Sequence, residues 1–307
     1  MPLWKWLAAG EAVSLPLPMV NIISGGLHAG RQLEFQDFLI IPAGAETFSE
    51  ALAAVVAVHA SAGKLLRDRG LSTLRADEGG YGPQLPSHRE ALKLLDEAVE
   101  LAGFTPGRDI VYAMDIAASH FHDPDSGTYV LTGEGLELSP AELGDYIEEL
   151  ISSHSVVSVE DPMAEDDWDA WVTFTQRSGD ELQIIGDDLF VTNQERLGRG
   201  IATGAANAVL VKMNQIGTLT ETVDVVSRAR AAGFRTVISA RSGETEDPFL
   251  SDLAVGVNGG QIKVGSVTQS ERLAKYNQLL RIEEQLGDDA VLTPWRATKS
   301  DPVQPSG

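Results

Sequence analysis

Six short apolar runs, each closed by a polar or charged residue, set the tightest limit on how this chain can fold. In order they are Ile110–Asp115 (IVYAMD), Val156–Glu160 (VVSVE), Leu182–Asp187 (LQIIGD), Ala208–Lys212 (AVLVK), Thr236–Arg241 (TVISAR) and Gln261–Lys263 (QIK). A strand buried on both faces of a parallel sheet is almost continuously apolar, and a polar terminus marks where the chain leaves the sheet. Glu160, Asp187, Lys212 and Arg241 follow one another at intervals of roughly 25 to 30 residues, the length of one strand–helix unit. In a β/α barrel, side chains at the C-terminal ends of successive strands share one rim, which is where such a fold builds an active site. The pattern therefore predicts a barrel whose rim carries three acids and two lysines, a set suited to metal-assisted carbon-acid chemistry.

An open, doubly wound sheet is the rival architecture. No G-x-G-x-x-G or P-loop follows any of the runs, and the charged ends occur on many strands rather than at one switch point, so the barrel is preferred. Composition narrows the function classes further. A formal charge of −22 argues against nucleic-acid and anionic-membrane partners, because phosphate-rich surfaces need a basic footprint. An anionic substrate would need local help from lysines or a bound cation. The absence of cysteine excludes disulfides, thiolate metal sites and cysteine nucleophiles, and fits a reducing compartment, hence a cytoplasmic location. No uninterrupted apolar run approaches the roughly 18 to 20 residues of a membrane span. The start, Met1–Gly10 (MPLWKWLAAG), lacks the apolar core of a signal peptide and reads as part of an amphipathic element.

Along the chain, Leu15–Met19 reads as an extended lead-in, since each proline biases its predecessor away from helix. Phe35–Pro42 reads as a strand, Thr47–Arg69 and Ser87–Ala102 as helices, and Ala76–Pro83 as a glycine-rich loop between them. A loop with a hairpin is expected over Ala117–Leu138. Ser139-Pro140-Ala141-Glu142 then gives an N-cap, a first-turn proline and a capping-box glutamate. The expected domain spans residues 1–295; residues 296–307, polar and rich in proline, are expected to be a disordered tail.

Asp115, Glu160 and Asp187 offer oxygen ligands from three strands, a donor set for a hard cation such as magnesium; singly, each would also serve as a helix cap or a lysine's partner. Lys212 and Lys263 either reach solvent from their strand ends or stand buried, where desolvation would bring an ammonium toward the working range of a base. Asp77-Glu78-Gly79-Gly80 is either a plain turn or a flexible mount for an acid, with Glu78 the candidate. Arg241-Ser242-Gly243 joins a guanidinium, a hydroxyl and freely oriented amides, a reasonable phosphate clamp. His28 could neutralise the same phosphate or be structural. His120 and His122 form an H-x-H pair, either a second metal site or part of a solvated loop.

Taken together, SGGLHAGRQLEFQDF, ADEGGYGP, AMDIAASHF, SVEDPMAEDDWDAW, IIGDDLFVTN, LVKMNQIGTLTE, SARSGETEDPFLSDLAVG and GQIKVG with SERLAKYNQLLRIEE resemble the enolase family. The likeness runs in order from about residue 3 to residue 286. It implies an α/β fold of the enolase-type modified TIM (β/α)8 barrel, and magnesium-dependent removal of water from 2-phosphoglycerate to give phosphoenolpyruvate. By the resemblance, Asp115, Glu160 and Asp187 are the Mg2+ ligands and Lys212 takes the proton beside the carboxylate. Glu78 assists the leaving hydroxyl, Lys263 and Gln36 bind substrate, and Arg241, Ser242 and His28 hold the phosphate. Enolase-superfamily sites as a class pair a Lys or His base with one or two magnesium ions. The family also implies a small anionic phosphorylated substrate and a homodimer.

Three departures stand out. The usual N-terminal α+β domain, which supplies a lid loop and a serine ligand for a second magnesium, has no counterpart before Met1. Asp37 replaces the glutamate that partners the acid, retracting a carboxylate by about 1.5 Å, and displacements of about 1 Å can cost of order 10²-fold in rate. Ala240 replaces the histidine before Arg241, opening room beside the leaving group. The expectation is a diverged homologue with related magnesium–enolate chemistry. The alternatives are a carboxyphosphonoenolpyruvate synthase-type enzyme of phosphinate antibiotic biosynthesis, a non-catalytic enolase-like binding protein, and a truncated ordinary enolase.

Overall fold

The computed structural model describes residues 1–295. A five-residue helix α1 (Leu3–Leu7) leads into strands β1 (Leu17–Ser24) and β2 (Asp37–Ile41), helices α2 (Phe48–Asp68) and α3 (His88–Leu101), and strand β3 (Val111–Asp115). An excursion of three short strands follows, β4 (His122–Asp123), β5 (Thr128–Leu131) and β6 (Leu136–Leu138). Then come α4 (Pro140–Ser153), β7 (Val156–Glu160), α5 (Trp168–Ser178), β8 (Gln183–Gly186), α6 (Gln194–Thr203) and β9 (Ala208–Val211). The chain continues through α7 (Met213–Ile216), α8 (Leu219–Ala231), β10 (Arg235–Ser239), α9 (Phe249–Gly256), β11 (Gln261–Lys263) and α10 (Ser270–Leu286). Eight strands close into a barrel in the order β1, β11, β10, β9, β8, β7, β3, β2, so the expected α/β barrel forms and the open sheet does not.

All six apolar runs become barrel strands, trimmed at their ends: Asp187, Lys212, Ala240 and Arg241 lie just past the ends of β8, β9 and β10. Residues in β1, β2 and β3 are buried throughout, as strands facing both a filled barrel and a helical layer must be. The proline-rich lead-in belongs to the sheet, since β1 begins at Leu17. Leu17 N–H donates to Gly260 in the β11 direction, so the N–H that Pro18 lacks would point the other way. On that side pairing starts only at Val20 with Ile40, and the proline forfeits no ladder bond.

One strand runs backwards. β2 is antiparallel to both β1 and β3, with Asp37 opposite Ser24 on one side and Asp115 on the other. Its start, not its end, therefore reaches the C-terminal rim. Asp115 in turn pairs with Glu160, which places four rim residues at one level.

The helices begin as their sequences predict. Thr47 with Glu50 and Ser139 with Glu142 form capping boxes for α2 and α4, and Pro140 sits in the first turn of α4. By length and composition α2 could cross a membrane, but its apolar face packs on β1, α3 and α10 as part of the barrel's outer layer. Trp4 of α1 is buried, its backbone N–H on Asp252 at 3.1 Å and its indole N–H on Gln285 at 3.1 Å, while Trp6 is 60% exposed. At the barrel's N-terminal end, Gln183 donates to Ser158 Oγ at 3.1 Å and to Gln261 at 2.9 Å and accepts from Arg235 Nη1 at 3.3 Å, a satisfied polar floor beneath the apolar core. The tail expected over residues 296–307 lies outside the described residues.

Candidate active site

The rim is charged on one side by an acid–lysine lattice. Lys263, ending β11, is buried and donates to Asp115 Oδ2 and Glu160 Oε2, both at 2.7 Å. Lys212, just past β9, forms an ion pair with Asp187, just past β8. Gln36 donates to Asp115 at 3.0 Å from the start of β2. Burial opposes both ammonium groups, yet the facing acids outweigh it: Asp115 and Glu160 raise Lys263 well above the ordinary lysine value, and Asp187 and Glu160 raise Lys212. Desolvation alone would have brought Lys212 down toward the range of a base. That expectation fails because the carboxylates that face the lysine are desolvated with it, and at short range their charge wins.

The same acids repel one another. Burial and then Asp115 push the Glu160 carboxyl well above its usual range, against the pull of Lys263. Asp161, at a positive φ of 44°, accepts the backbone N–H groups of Asp187 at 2.9 Å and Asp188 at 2.8 Å and so fixes the turn that aims Asp187. Asp187 Oδ1 is buried with no hydrogen-bond partner. Hard oxygen donors, an unspent buried oxygen and repulsion that a dication would relieve suit a hard divalent cation at this rim. Drawing those carboxylates onto a cation would also withdraw the charge that holds both lysines protonated. Among the described residues, the tightest groupings of ligand atoms, all within 4.8 Å of one another, are His28 with Asp37 and Glu78, and Asp161 with Asp187 and Asp188.

The other side of the rim carries the acid. Burial, and next Asp37, raise the Glu78 carboxyl above its normal value, against His28, Lys263 and Arg272. Its turn is pressed so close to the barrel that glycine is required. A Cβ on Gly79, whose φ is +89°, would meet Thr268 Oγ1 at 2.6 Å, and one on Gly80 would meet Asn21 and Ser24 oxygens at 2.7 Å. Asp37 is fully buried and accepts from Asn21 Nδ2, from Ser24 Oγ at 2.8 Å and from His28 Nδ1 at 3.1 Å. Burial works against a charged His28, but the bond to Asp37 prevails and its pKa rises to about 9. Asp37 thus anchors a cationic His28 beside Glu78.

Arg241 and Ser242 are exposed on the loop after β10, and the backbone carbonyls of both are held by Arg272 of α10. The H-x-H pair falls in the excursion, where His122 packs against the Tyr129 ring at 4.8 Å between centroids, and it joins neither ligand grouping. Sequence reading missed Asp161, Asn21, Ser24 and Arg272. Only Asp161, directly after Glu160 and before a proline, left a signal that an acid pair at a strand end could have supplied.

Acids and lysines gathered on the C-terminal rim of a closed β/α barrel define a class: β/α-barrel proteins with a charged site at the strand ends. A family profile described as "Enolase, C-terminal TIM barrel domain" matches residues 12–300. The chain is 53% identical over 290 residues to an enolase of Acidothermus cellulolyticus, an alignment covering 94% of this chain and 67% of that protein. The chain belongs to the enolase family.

Proposed function

We propose that the protein is an enolase-type lyase that takes a proton from the carbon beside a carboxylate and eliminates water from 2-phosphoglycerate or a closely related phosphorylated hydroxy acid. The observation that carries this reading is the gathering of Asp115, Glu160, Asp187, Lys212 and Lys263 on one rim, with a buried Glu78 whose carboxyl is raised above its usual range by burial and by Asp37. A divalent cation, magnesium by its donor set, would be held by the three acids and supply fixed positive charge against a developing dianion. Lys212 takes the proton once the acids no longer hold its own. Lys263 pairs with the substrate carboxylate, and Gln36 orients it. Glu78 delivers a proton to the departing hydroxyl, so that the proton gained by Lys212 and the one spent by Glu78 balance the loss of water. Arg241, Ser242 and the His28 cation hold the phosphate. The cysteine-free composition suits a reducing cytoplasm.

A second reading is favoured by Ala240, a small, nearly buried residue between Lys263 and the clamp. A carboxylate one methylene shorter at Asp37, together with the small Ala240, would leave room for a bulkier leaving group, such as the phosphonoformyl donor of a carboxyphosphonoenolpyruvate synthase-type reaction. The test is magnesium-dependent turnover of 2-phosphoglycerate, followed by enolpyruvate absorbance and product mass, with and without a nucleotide-activated phosphonoformate. The first reading expects phosphoenolpyruvate from 2-phosphoglycerate alone, with Lys212→Ala slower by roughly 10² to 10⁴-fold. The second expects product only when the phosphonate donor is present. No magnesium-dependent turnover of either substrate would leave a binding protein.

A further inference from the structure

Helix α10 buries two cations that the mechanism above does not use. Arg272 and Lys275 are both fully buried although they sit in a polar-looking helical sequence, SERLAKYNQ. Burying a guanidinium is expensive, and an apolar side chain would fill the same space at less cost, so its donors mark what it is kept for. Nη1 of Arg272 donates to the Arg241 carbonyl at 2.8 Å and to Val264 at 3.5 Å, and Nη2 donates to the Ser242 carbonyl at 2.7 Å. Lys275 donates to the Thr245 carbonyl and lies 3.6 Å from Glu244. The loop these cations grip is otherwise exposed from Arg241 to Gly243, and Arg241 makes no ion pair among the described residues.

We propose that Arg272 is a positioning residue whose planar fork fixes the backbone of Arg241 and Ser242, so that their side chains stay presented to the anionic end of the substrate. Two parallel donors on successive carbonyls hold a peptide's orientation as well as its position, which a single ammonium cannot do. With the carbonyls turned inward to Arg272, the guanidinium and hydroxyl of the clamp are left for solvent and ligand. The connection between β11 and α10 holds the acid's turn: Ser266 N–H donates to the Glu78 carbonyl at 2.8 Å and Thr268 Oγ1 to the Gly79 carbonyl at 2.9 Å. Gly265, at φ +91°, makes the junction fit, because a Cβ there would meet the Glu78 carbonyl at 2.8 Å and Arg272 Cδ at 3.1 Å.

The inference rests on the enolase-type reading for its substrate, and the experiment separates the two. Arg272→Lys and Arg272→Gln are compared with wild type and Lys275→Met in full-length protein. Three quantities are read: backbone hydrogen exchange over residues 241–247, inhibition by inorganic phosphate, and steady-state kinetics on 2-phosphoglycerate. Expected is faster exchange of the loop with β10 and β11 unchanged, weaker phosphate inhibition, and a KM raised by at least about tenfold with a smaller fall in kcat. The magnesium activation constant, set across the barrel by Asp115, Glu160 and Asp187, stays as in wild type, and Lys275→Met, which frees only the Thr245 end, moves KM less. A folded Arg272→Lys with unchanged loop exchange and unchanged phosphate inhibition overturns the inference. If wild type turns over no 2-phosphoglycerate, the functional reading fails, while loop exchange and phosphate inhibition still decide the role of Arg272.

Discussion

The two ends of the barrel both carry buried polar side chains, and they use them in opposite ways. At the floor, Gln183 donates to Ser158 and Gln261 and accepts from Arg235, so its donors and acceptor are all matched. At the rim, charges are packed beyond what they can satisfy: Glu160 is repelled by Asp115, Asp187 keeps an unpartnered oxygen, and Glu78 is pressed against Asp37. A polar floor stabilises the barrel and asks for nothing more. A strained, charged rim is stabilised by what it binds, and that contrast, rather than the presence of polar residues, separates scaffold from site.

The contrast breaks most visibly at Lys263. Lys263→Met leaves Asp115 and Glu160 buried without their counter-charge, and removing one partner of a buried pair costs about 3 to 5 kcal/mol. Urea unfolding at neutral pH should show that loss in the metal-free protein, and turnover of 2-phosphoglycerate should vanish. On the acid side, Glu78→Gln removes the donated proton while keeping shape. Turnover should fall by roughly 10² to 10⁴-fold with little change in unfolding midpoint, and a rate within twofold of wild type would remove Glu78 from the chemistry.

The floor should answer the other way. Gln183→Ala strands the Ser158, Gln261 and Arg235 partners and should cost about 1 to 3 kcal/mol in urea unfolding while leaving kcat unchanged. A large kcat effect there would erase the distinction between the two ends. The smallest effect concerns His28, whose folded pKa of about 9 stands above the ordinary 6.5. A raised histidine contributes stability that is fully present below the unfolded value and is lost as pH climbs through the folded one. The gap in urea midpoint between wild type and His28→Gln should therefore be constant below pH 6.5 and close as pH passes about 9. A gap that widens with pH would reverse the assignment of the Asp37–His28 pair.

Much of this was legible in the residues. Strand ends announced themselves because a strand inside a barrel tolerates almost nothing polar until it leaves the sheet, so Asp115, Glu160 and Lys263 stood out in VYAMD, VVSVE and QIK. Helix starts were legible because caps are local, as at Thr47 and Ser139. Strand direction was not: FQDFLII has the same pattern read either way, and only the antiparallel pairing of β2 reveals why Gln36 and Asp37, at its start, reach the rim. Arg272 and Lys275 were hidden for a different reason. A charged residue in an amphipathic helix normally reaches solvent, and their burial depends on a loop about 30 residues away in sequence. The pKa of Lys212 was likewise set by partners on other strands, which spacing alone cannot weigh.

The account turns on whether the rim's acids take up a divalent cation, and magnesium titration by calorimetry tests that most directly. Wild type should show saturable binding that Asp187→Asn weakens by at least about tenfold, while Gln183→Ala at the floor binds as wild type does. Absent magnesium binding, or equal binding by Asp187→Asn and wild type, would contradict the claim that this rim is charged for a metal.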